Sequence, residues 1–544
     1  MIITNFLEQN AANSPDDISL IELNPVRDEA KNLAWQEYEL VEAGHSTHFR
    51  REMTWKEFDN RANQFANLLL DKGIKKGDKV AILLMNCIDW LPIYFGVLKI
   101  GGIAVPLNFR YTGSEIAYCL ELSDASVLVF GTEFIDRVDS VKDELTKINE
   151  FIFVGMDLPS YATSYEGEVI NFSTEKPIVD IKDDDDAAIY FSSGTTGFPK
   201  AILHPHTSLI CATETEHAHH HQVKDDIFLL IPPLYHTGAK MHWFGSLKSC
   251  SRSIILKGTD PKWIVETAAQ EKASIVWLLV PWAQDILDAI ESNQIDLDSL
   301  DLSRWRLMHI GAQPVPPSLI KKWKKYFPHH DYDTNYGLSE SIGPGAVHLG
   351  IENIHKVGAI GVAGHNWQTM IVDENGKEVE RNSVGELLVK GAGVMKEYYR
   401  DAEATAATLK DGWLYTGDMA MEDEDGFIYL VDRKKDVIIT GGENLYPVQI
   451  EDFVRTNDKV KDIAVIGVAD KRLGEIACAI IEIKDDMTCT EEEIMEFMKE
   501  LPRYKRPRQI IFDDVPRNPT GKIEKPKLRK KYNAEGIVAK ETER

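Results

Sequence analysis

The run Ala187-Ala188-Ile189-Tyr190-Phe191 leads directly into Ser192-Ser193-Gly194-Thr195-Thr196-Gly197-Phe198-Pro199-Lys200. Five residues with almost no polar alternation read as a buried strand, the kind that a layered α/β sheet covers on both faces. The loop after it suits anions. Its glycines let backbone N–H groups approach phosphate oxygens, its hydroxyls add donors, and Lys200 adds a positive charge. It is not a Walker A loop, because the Gly-Lys-Ser/Thr ending is absent and Pro199 separates the glycines from the lysine.

Upstream, strand and helix alternate. Thr54 followed by Glu57 makes a capping box, and Phe58, Ala62, Phe65 and Leu69 recur at helical spacing. Gly73 closes that helix, and Val80-Ala81-Ile82-Leu83-Leu84-Met85 reads as a fully buried strand. An apolar helix from Trp90 reaches Gly101-Gly102, and Ile103-Ala104-Val105 gives another strand. This alternation predicts α/β layers with parallel pairing. Asp183-Asp184-Asp185-Asp186 reads as a solvated approach to the strand at Ala187.

Downstream, from about residue 350, short strands separated by glycine turns predict an antiparallel β element, as in Gly385-Glu386-Leu387-Leu388-Val389 and Gly426-Phe427-Ile428-Tyr429-Leu430-Val431. The charged cluster Asp432-Arg433-Lys434-Lys435-Asp436 interrupts it. A new α/β pattern follows, with a strand from Ile463 to Val468 and a helix capped by Thr490 and Glu493 that carries Ile494, Phe497, Met498 and Leu501 on one face. A chain of 544 residues exceeds the usual limit of one core. The expected fold is therefore α/β: a large N-terminal domain (1–431) of layered α/β sheets plus a β-barrel-like element, and a small α+β C-terminal domain (432–544) with its hinge at 432–436.

Composition narrows the function classes. Hydrophobic residues at 43% and charged residues at 27% exclude global disorder and fibrous repeats. A formal net charge of -26, from 61 Lys+Arg against 87 Asp+Glu, argues against wrapping nucleic acid or an anionic membrane. Six scattered cysteines with no CxxC pair read as reduced, mostly buried thiols. The start of the chain lacks the basic and apolar regions of a signal peptide, and the most apolar stretch, Leu91 to Leu107, is broken by Pro92, Lys99, Gly101 and Gly102. A soluble cytoplasmic protein without stable membrane insertion is the expectation.

Further motifs follow in order: Pro233-Leu234-Tyr235-His236-Thr237-Gly238, Gly311-Ala312-Gln313-Pro314, Asn335-Tyr336-Gly337-Leu338-Ser339-Glu340, Tyr415-Thr416-Gly417-Asp418, the cluster at Asp432, Gly441-Gly442-Glu443-Asn444-Leu445-Tyr446-Pro447, and Asn518-Pro519-Thr520-Gly521-Lys522-Ile523. Each is weak alone. Together they make the chain resemble the ANL superfamily of adenylate-forming enzymes, from the helix at Thr54 to Lys527.

That resemblance implies an acyl-CoA synthetase acting in two steps. A carboxylate attacks the α-phosphorus of ATP, releasing pyrophosphate and forming an acyl-adenylate; the thiol of coenzyme A then displaces AMP. By the same resemblance, Ser192, Ser193, Gly194, Thr195, Thr196, Gly197 and Lys200 surround the β/γ-phosphates, Ser339 contacts phosphate, and Glu340 with Thr195 binds Mg²⁺. Lys522 bridges the carboxylate and the α-phosphate, a task for a compact ammonium. Asp418 and Arg433 take the ribose, and Tyr336 offers a face to adenine in the segment Asn335-Tyr336-Gly337, with Gly311-Ala312-Gln313 opposite. The small domain pivots at Lys435, and Gly441-Gly442-Glu443 lines the pantetheine path in its second orientation. The family also includes homodimers. Two positions depart from the family pattern: Ser339 replaces a usual threonine, and Asp432 a usual glycine.

Tyr235-His236 resembles acyl- and aryl-CoA synthetases rather than amino-acid adenylation domains, which offer an aspartate there; His236 is expected in the wall of the acyl pocket, with Trp243, Met308 and the segment after Glu340 shaping it. The expected substrate is a fatty, aromatic or alicyclic carboxylic acid. A module loading a carrier-protein thiol is the alternative, although no carrier domain follows the small domain. Glu216-His217-Ala218-His219-His220-His221 invites a metal reading, but adjacent histidines on a helix point around its circumference, and a solvated face is expected. Arg503, Lys505, Arg506 and Arg508 are candidates for contact with coenzyme A phosphates. Residues 501–532 carry +8 and the remainder of the chain -34, so positive charge is gathered in one segment of the small domain.

Overall fold

A computed structural model describes residues 1–24, 33–36, 39–42, 50–192, 199–311, 315–343, 345–348, 350–440, 443–470, 472–485, 487–517 and 523–534. Two large sheets carry most of the first 400 residues. In the first, the strands run in the order Asp331–Asp333, Leu307–Gly311, Ile275–Leu279, Ile227–Leu230, Arg252–Leu256, Ile18–Leu23 and Arg50–Thr54. All neighbours are parallel except the last pair. The second sheet has eight strands. Its parallel part runs from Asp186–Ser192 through Ile103–Pro106, Lys79–Leu83, Ala125–Gly131 and Glu150–Val154 to Thr163–Ser164. The strands Lys200–Pro205 and Glu397–Tyr398 extend the other edge antiparallel.

The helices between the sheets form where the sequence codes for them. The capping box at Thr54 is closed, with the Glu57 N–H donating to Thr54 Oγ1 at 3.1 Å and the Thr54 N–H to Glu57 Oε2 at 2.8 Å. The helix Trp55–Asp71 that follows buries Phe58, Ala62, Phe65 and Leu69. These residues share a core with Leu91, Phe95, Leu209 and Phe244 from three other helices, with Val80 and Ile82 of one sheet, and with Phe228 and Leu230 of the other. Helices thus lie between two sheets, which is the layered arrangement expected of parallel βαβ units.

The antiparallel element comprises Trp367–Val372, Val384–Gly391, Leu409–Lys410, Trp413–Glu422 and Ile428–Arg433. Asp432 and Arg433 belong to its last strand, so only residues 434–436 form the turn out of it. Beyond lies a five-stranded sheet, Glu443–Leu445, Ile438–Thr440, Gly474–Ile483, Val460–Asp470 and Gln509–Phe512, flanked by the helices Pro447–Val454, Glu491–Phe497 and Lys525–Ala534. Its two core clusters draw only on residues from Ile438 onward. Among the described residues no helix is long and apolar enough to cross a membrane. All six cysteines are free thiols; Cys119, Cys211 and Cys478 are buried, and Cys87, Cys250 and Cys489 only partly so.

Candidate active site

The motif residues follow the C-terminal ends of parallel strands, the edge at which open α/β sheets bind ligands. Ser192 ends one such strand and Gly311 another, His236 follows Ile227–Leu230, and Asn335-Tyr336 follow Asp331–Asp333. Ser193, Gly194, Thr195, Thr196, Gly197, Ala312, Gln313, Gly441, Gly442 and Lys522 lie outside the described residues, as does the side chain of Glu443.

Strand register builds the centre of the site. Trp413–Glu422 pairs antiparallel with Ile428–Arg433 so that Asp418 faces Arg433, and Arg433 Nε lies 2.6 Å from Asp418 Oδ1. The other carboxylate oxygen accepts the Tyr336 hydroxyl at 2.5 Å. Asp418 is 3% exposed, and its backbone N–H is held by Thr416 Oγ1 at 3.1 Å. Burial, and then the Asp418 charge, push the Tyr336 hydroxyl well above its ordinary pKa, so it remains a donor. An ionised carboxylate has about four lone-pair directions, so Asp418 retains acceptor capacity for the hydroxyls of a ligand. Gly417 adopts φ +71°, and the Lys434 N–H closes on its carbonyl at 2.9 Å, which fixes the exit from this strand pair. Lys435 is exposed on the turn that follows.

A second cluster forms around Glu340. The Tyr398 hydroxyl donates to Glu340 Oε1 at 2.9 Å, and Lys200 Nζ lies 4.7 Å from the centre of the Tyr398 ring. The register Ile202↔Tyr398 brings these residues together, and the Met395 N–H holds the Glu340 carbonyl at 2.7 Å. The carbonyl of Ser339 lies 2.8 Å from His204 Nε2. Glu340 is only partly buried, and Oε2 has no hydrogen-bond partner among the described residues. Tyr398 was not foreseen from the sequence. None of the motifs singled out in the sequence contains it, and the antiparallel pairing at the sheet edge places it.

His236 caps the helix Thr237–Ser249, with the Gly238 N–H donating to its Nδ1 at 3.1 Å. Lys240, one turn later, is fully buried. Its ammonium donates to the Leu234 carbonyl at 2.8 Å and sits 4.4 to 5.4 Å from the rings of Trp90, Tyr94 and Tyr190. It thereby holds the loop that carries His236, a role that no motif announces. Two expected pocket residues are core residues instead. Trp243 packs 6.0 Å from Phe58 and 5.8 Å from Phe95, and Met308 belongs to the core on the opposite face of its sheet. Arg506 is occupied by the carbonyls of Leu501 and Lys499.

The histidine run also differs from its expected solvated face. His217 is partly buried and His221 exposed, but Glu216 and His220 are 0% exposed and His219 3%. The helix His206–His219 turns this side toward the strand Leu307–Gly311, which adds His309, and toward the helix Thr237–Ser249, which adds His242. His219 Nε2 pairs with Asp333 at 2.8 Å, and Asn335 Nδ2 donates to Glu216 Oε1 at 2.7 Å. Burial pushes the Glu216 carboxyl up to about 8 and the His242 imidazole down to about 3. The histidines in strand and helix come from distant segments, so adjacency within 216–221 gave no view of them.

The family profile described as AMP-binding enzyme matches residues 7–399, and that of the AMP-binding enzyme C-terminal domain matches 449–522. The chain belongs to the AMP-binding enzyme family. Among its relatives in this family, the long-chain-fatty-acid–CoA ligase FadD13 of Mycobacterium tuberculosis is 31% identical over 490 residues, covering 89% of this chain and 93% of the relative. Among solved structures, a fatty acyl CoA synthetase of Mycobacterium tuberculosis aligns with a TM-score of 0.76 at 29% identity, covering 98% of this chain and 99% of that one. ATP-bound MatB from Rhodopseudomonas palustris aligns with a TM-score of 0.83 at 25% identity, covering 98% and 99%.

Proposed function

We infer that this AMP-binding enzyme is an acid–thiol ligase that activates a carboxylic acid with ATP as an acyl-adenylate and transfers the acyl group to coenzyme A. The observation that carries the reading is the Tyr336–Asp418–Arg433 cluster beside Glu340 and Tyr398, in a chain whose relatives along nearly its full length bear the names of CoA ligases.

Asp418 accepts the ribose hydroxyls, with Arg433 holding its charge in place, and Tyr336 presents its ring to adenine against Gly311. Asn335 and Gly337 frame that segment. The loop Ser192–Lys200, with Ser339, surrounds the phosphates. A hard oxygen ligand suits Mg²⁺, and Glu340 Oε2, without a hydrogen-bond partner among the described residues, fits it; Glu340 with Thr195 would hold the ion, which would neutralise developing phosphate charge. Lys522 neutralises the carboxylate and α-phosphate oxygens during adenylation. His236, fixed as a helix cap, stands at the acyl pocket.

The chain works as two domains, 1–431 and 432–544. The separate family matches and the separate cores support this division. Asp432, in the last strand of the antiparallel element, ties that element to the helix that follows: its carboxylate accepts the Val448 N–H at 3.0 Å in the first turn of Pro447–Val454. Rotation about Lys435 exchanges Lys522 for the Gly441-Gly442-Glu443 face at the reacting carbonyl. The free thiols suit a reducing cytoplasm.

The test is a product analysis with ATP, Mg²⁺, coenzyme A and a panel of fatty, aromatic and alicyclic acids. AMP and a coenzyme A thioester in equal amounts support the reading. ADP as product, or AMP without any thioester to free coenzyme A, counts against it.

A further inference from the structure

We propose that Glu216, His220, His242 and His309 form a closed, structural binding site for a divalent transition metal of the zinc class, distinct from the Mg²⁺ position at Glu340. Donor atoms of His220, His242 and His309 lie within 4.8 Å of one another, and Glu216, His219 and His220 form a second such group that shares His220. The four ligands come from three elements. Glu216 and His220 are separated by one helical turn and so share a face, His242 comes from the neighbouring helix, and His309 from the sheet beneath. His242, His309, Glu216 and His220 are each at most 1% exposed.

The distances suit such a centre. Zinc–nitrogen and zinc–oxygen bonds of about 2.0–2.1 Å in a tetrahedron set ligand atoms about 3.3 Å apart. The observed separations are 2.7 Å between His242 Nε2 and His309 Nε2, 3.0 Å between His220 Nε2 and His309 Nδ1, and 3.8 Å between His242 Nε2 and Glu216 Oε1. His309 meets its two neighbours through different nitrogens, so binding turns its ring to present one of them.

Hydrogen-bond accounting points the same way. A carbonyl only accepts, so His242 Nδ1, 2.5 Å from the Gly238 carbonyl, carries the proton and Nε2 carries a lone pair. Two neighbours converge on that one lone pair, Asn335 Nδ2 at 3.2 Å and His309 Nε2 at 2.7 Å. Meanwhile Glu216 Oε2 and His220 Nδ1, 3.6 Å apart, have no hydrogen-bond partner among the described residues although both are buried. Orphaned buried polar atoms are costly, and a cation that takes the His242 Nε2 lone pair together with a Glu216 oxygen removes the crowding at that nitrogen. The surroundings supply a second layer of support: the Gly238 carbonyl orients His242, and Asn335 holds Glu216. Asn335 precedes Tyr336, so the metal would brace the floor of the nucleotide site without touching it.

The experiment uses the untagged full chain, produced in medium supplemented with zinc or with cobalt and then treated with a chelator to remove loosely held ions. Metal content is measured by mass spectrometry, and the cobalt form by its visible spectrum. The expected result is one chelator-resistant ion per chain and intense visible bands of tetrahedral cobalt. Both should be lost in His309→Asn and Glu216→Gln and kept in His221→Asn, where the exposed residue serves as control. Wild-type protein without stoichiometric metal overturns the proposal and leaves a cluster joined by protons alone. Bound metal that persists in both variants overturns it too, by placing the ion elsewhere. If a variant folds poorly, X-ray absorption of the wild-type cobalt form decides: a four-coordinate shell with three imidazoles supports the site, and any other shell refutes it.

Discussion

Replacing Asp418 by alanine tests the ribose assignment where the geometry is densest. The carboxylate is 3% exposed and holds both Arg433 and the Tyr336 hydroxyl, so its removal has two effects. The first is on nucleotide affinity. Two charge-assisted hydrogen bonds to ribose hydroxyls are worth about 1.5–3 kcal/mol each. Water entering the vacated space offsets part of that, so the lower sum, about 3 kcal/mol, is expected; it corresponds to about 150-fold in Kd. The second effect is on the fold. Arg433 is 41% exposed at its side chain and regains water, but the buried Tyr336 hydroxyl loses its acceptor, so the cost to stability is about 1–3 kcal/mol. Calorimetric titration with ATP, together with thermal unfolding, separates the two. A Kd for ATP within threefold of wild type, in a protein that unfolds normally, would refute the reasoning, because it would show that the buried carboxylate serves only to organise Tyr336 and Arg433. Asp418→Asn keeps an acceptor oxygen but not the charge, and should fall between the two, near tenfold.

Three further outcomes are expected. Tyr398→Phe removes the donor on Glu340 and should lower the adenylation rate about tenfold, or about 1.4 kcal/mol, while raising the Mg²⁺ concentration needed for half-maximal rate; an unchanged Mg²⁺ dependence would show that Tyr398 does not position Glu340. Lys522→Ala should slow adenylation by roughly 10²–10⁴-fold yet still convert supplied acyl-adenylate to thioester, and equal loss of both half-reactions would contradict the exchange of domain faces. Asp226 is buried, which alone would raise its pKa, but the Arg306 fork at 2.8 and 2.9 Å, Ser274 and the Val223 N–H hold the carboxyl below its usual range. The stabilisation is therefore present above the unfolded value of about 3.9 and lost as pH falls through the lower folded value. Asp226→Ala should cost about 3 kcal/mol at neutral pH, by chemical denaturation, with the gap to wild type closing only below that window.

What the sequence conveyed was whatever depends on neighbours along the chain. The capping boxes at Thr54 and Thr490, the buried strands at Val80 and Ala187, and the antiparallel element after residue 350 are all written within a few residues, and all formed. Asp418 and Arg433 could be paired only through a resemblance, since their contact depends on strand register across a turn at 423–426. Contacts between distant segments carried no local signal. Tyr398 reaches Glu340 through pairing at a sheet edge, Lys240 is held by aromatic rings from two other elements, and His309 and His242 meet His220 from distant segments. The histidine run shows why: periodicity tells which residues share a helix face but not which face the core claims. The global charge of -26 says little about small anions, since local donors can hold them whatever the net charge.

The central claim is that this chain joins a carboxylate to AMP. Exchange of labelled pyrophosphate into ATP, measured without coenzyme A across an acid panel, tests that step alone. Label should enter ATP only in the presence of an accepted acid, and addition of coenzyme A should draw the adenylate off as thioester. Binding of ATP with no acid-dependent exchange for any member of the panel would contradict the account.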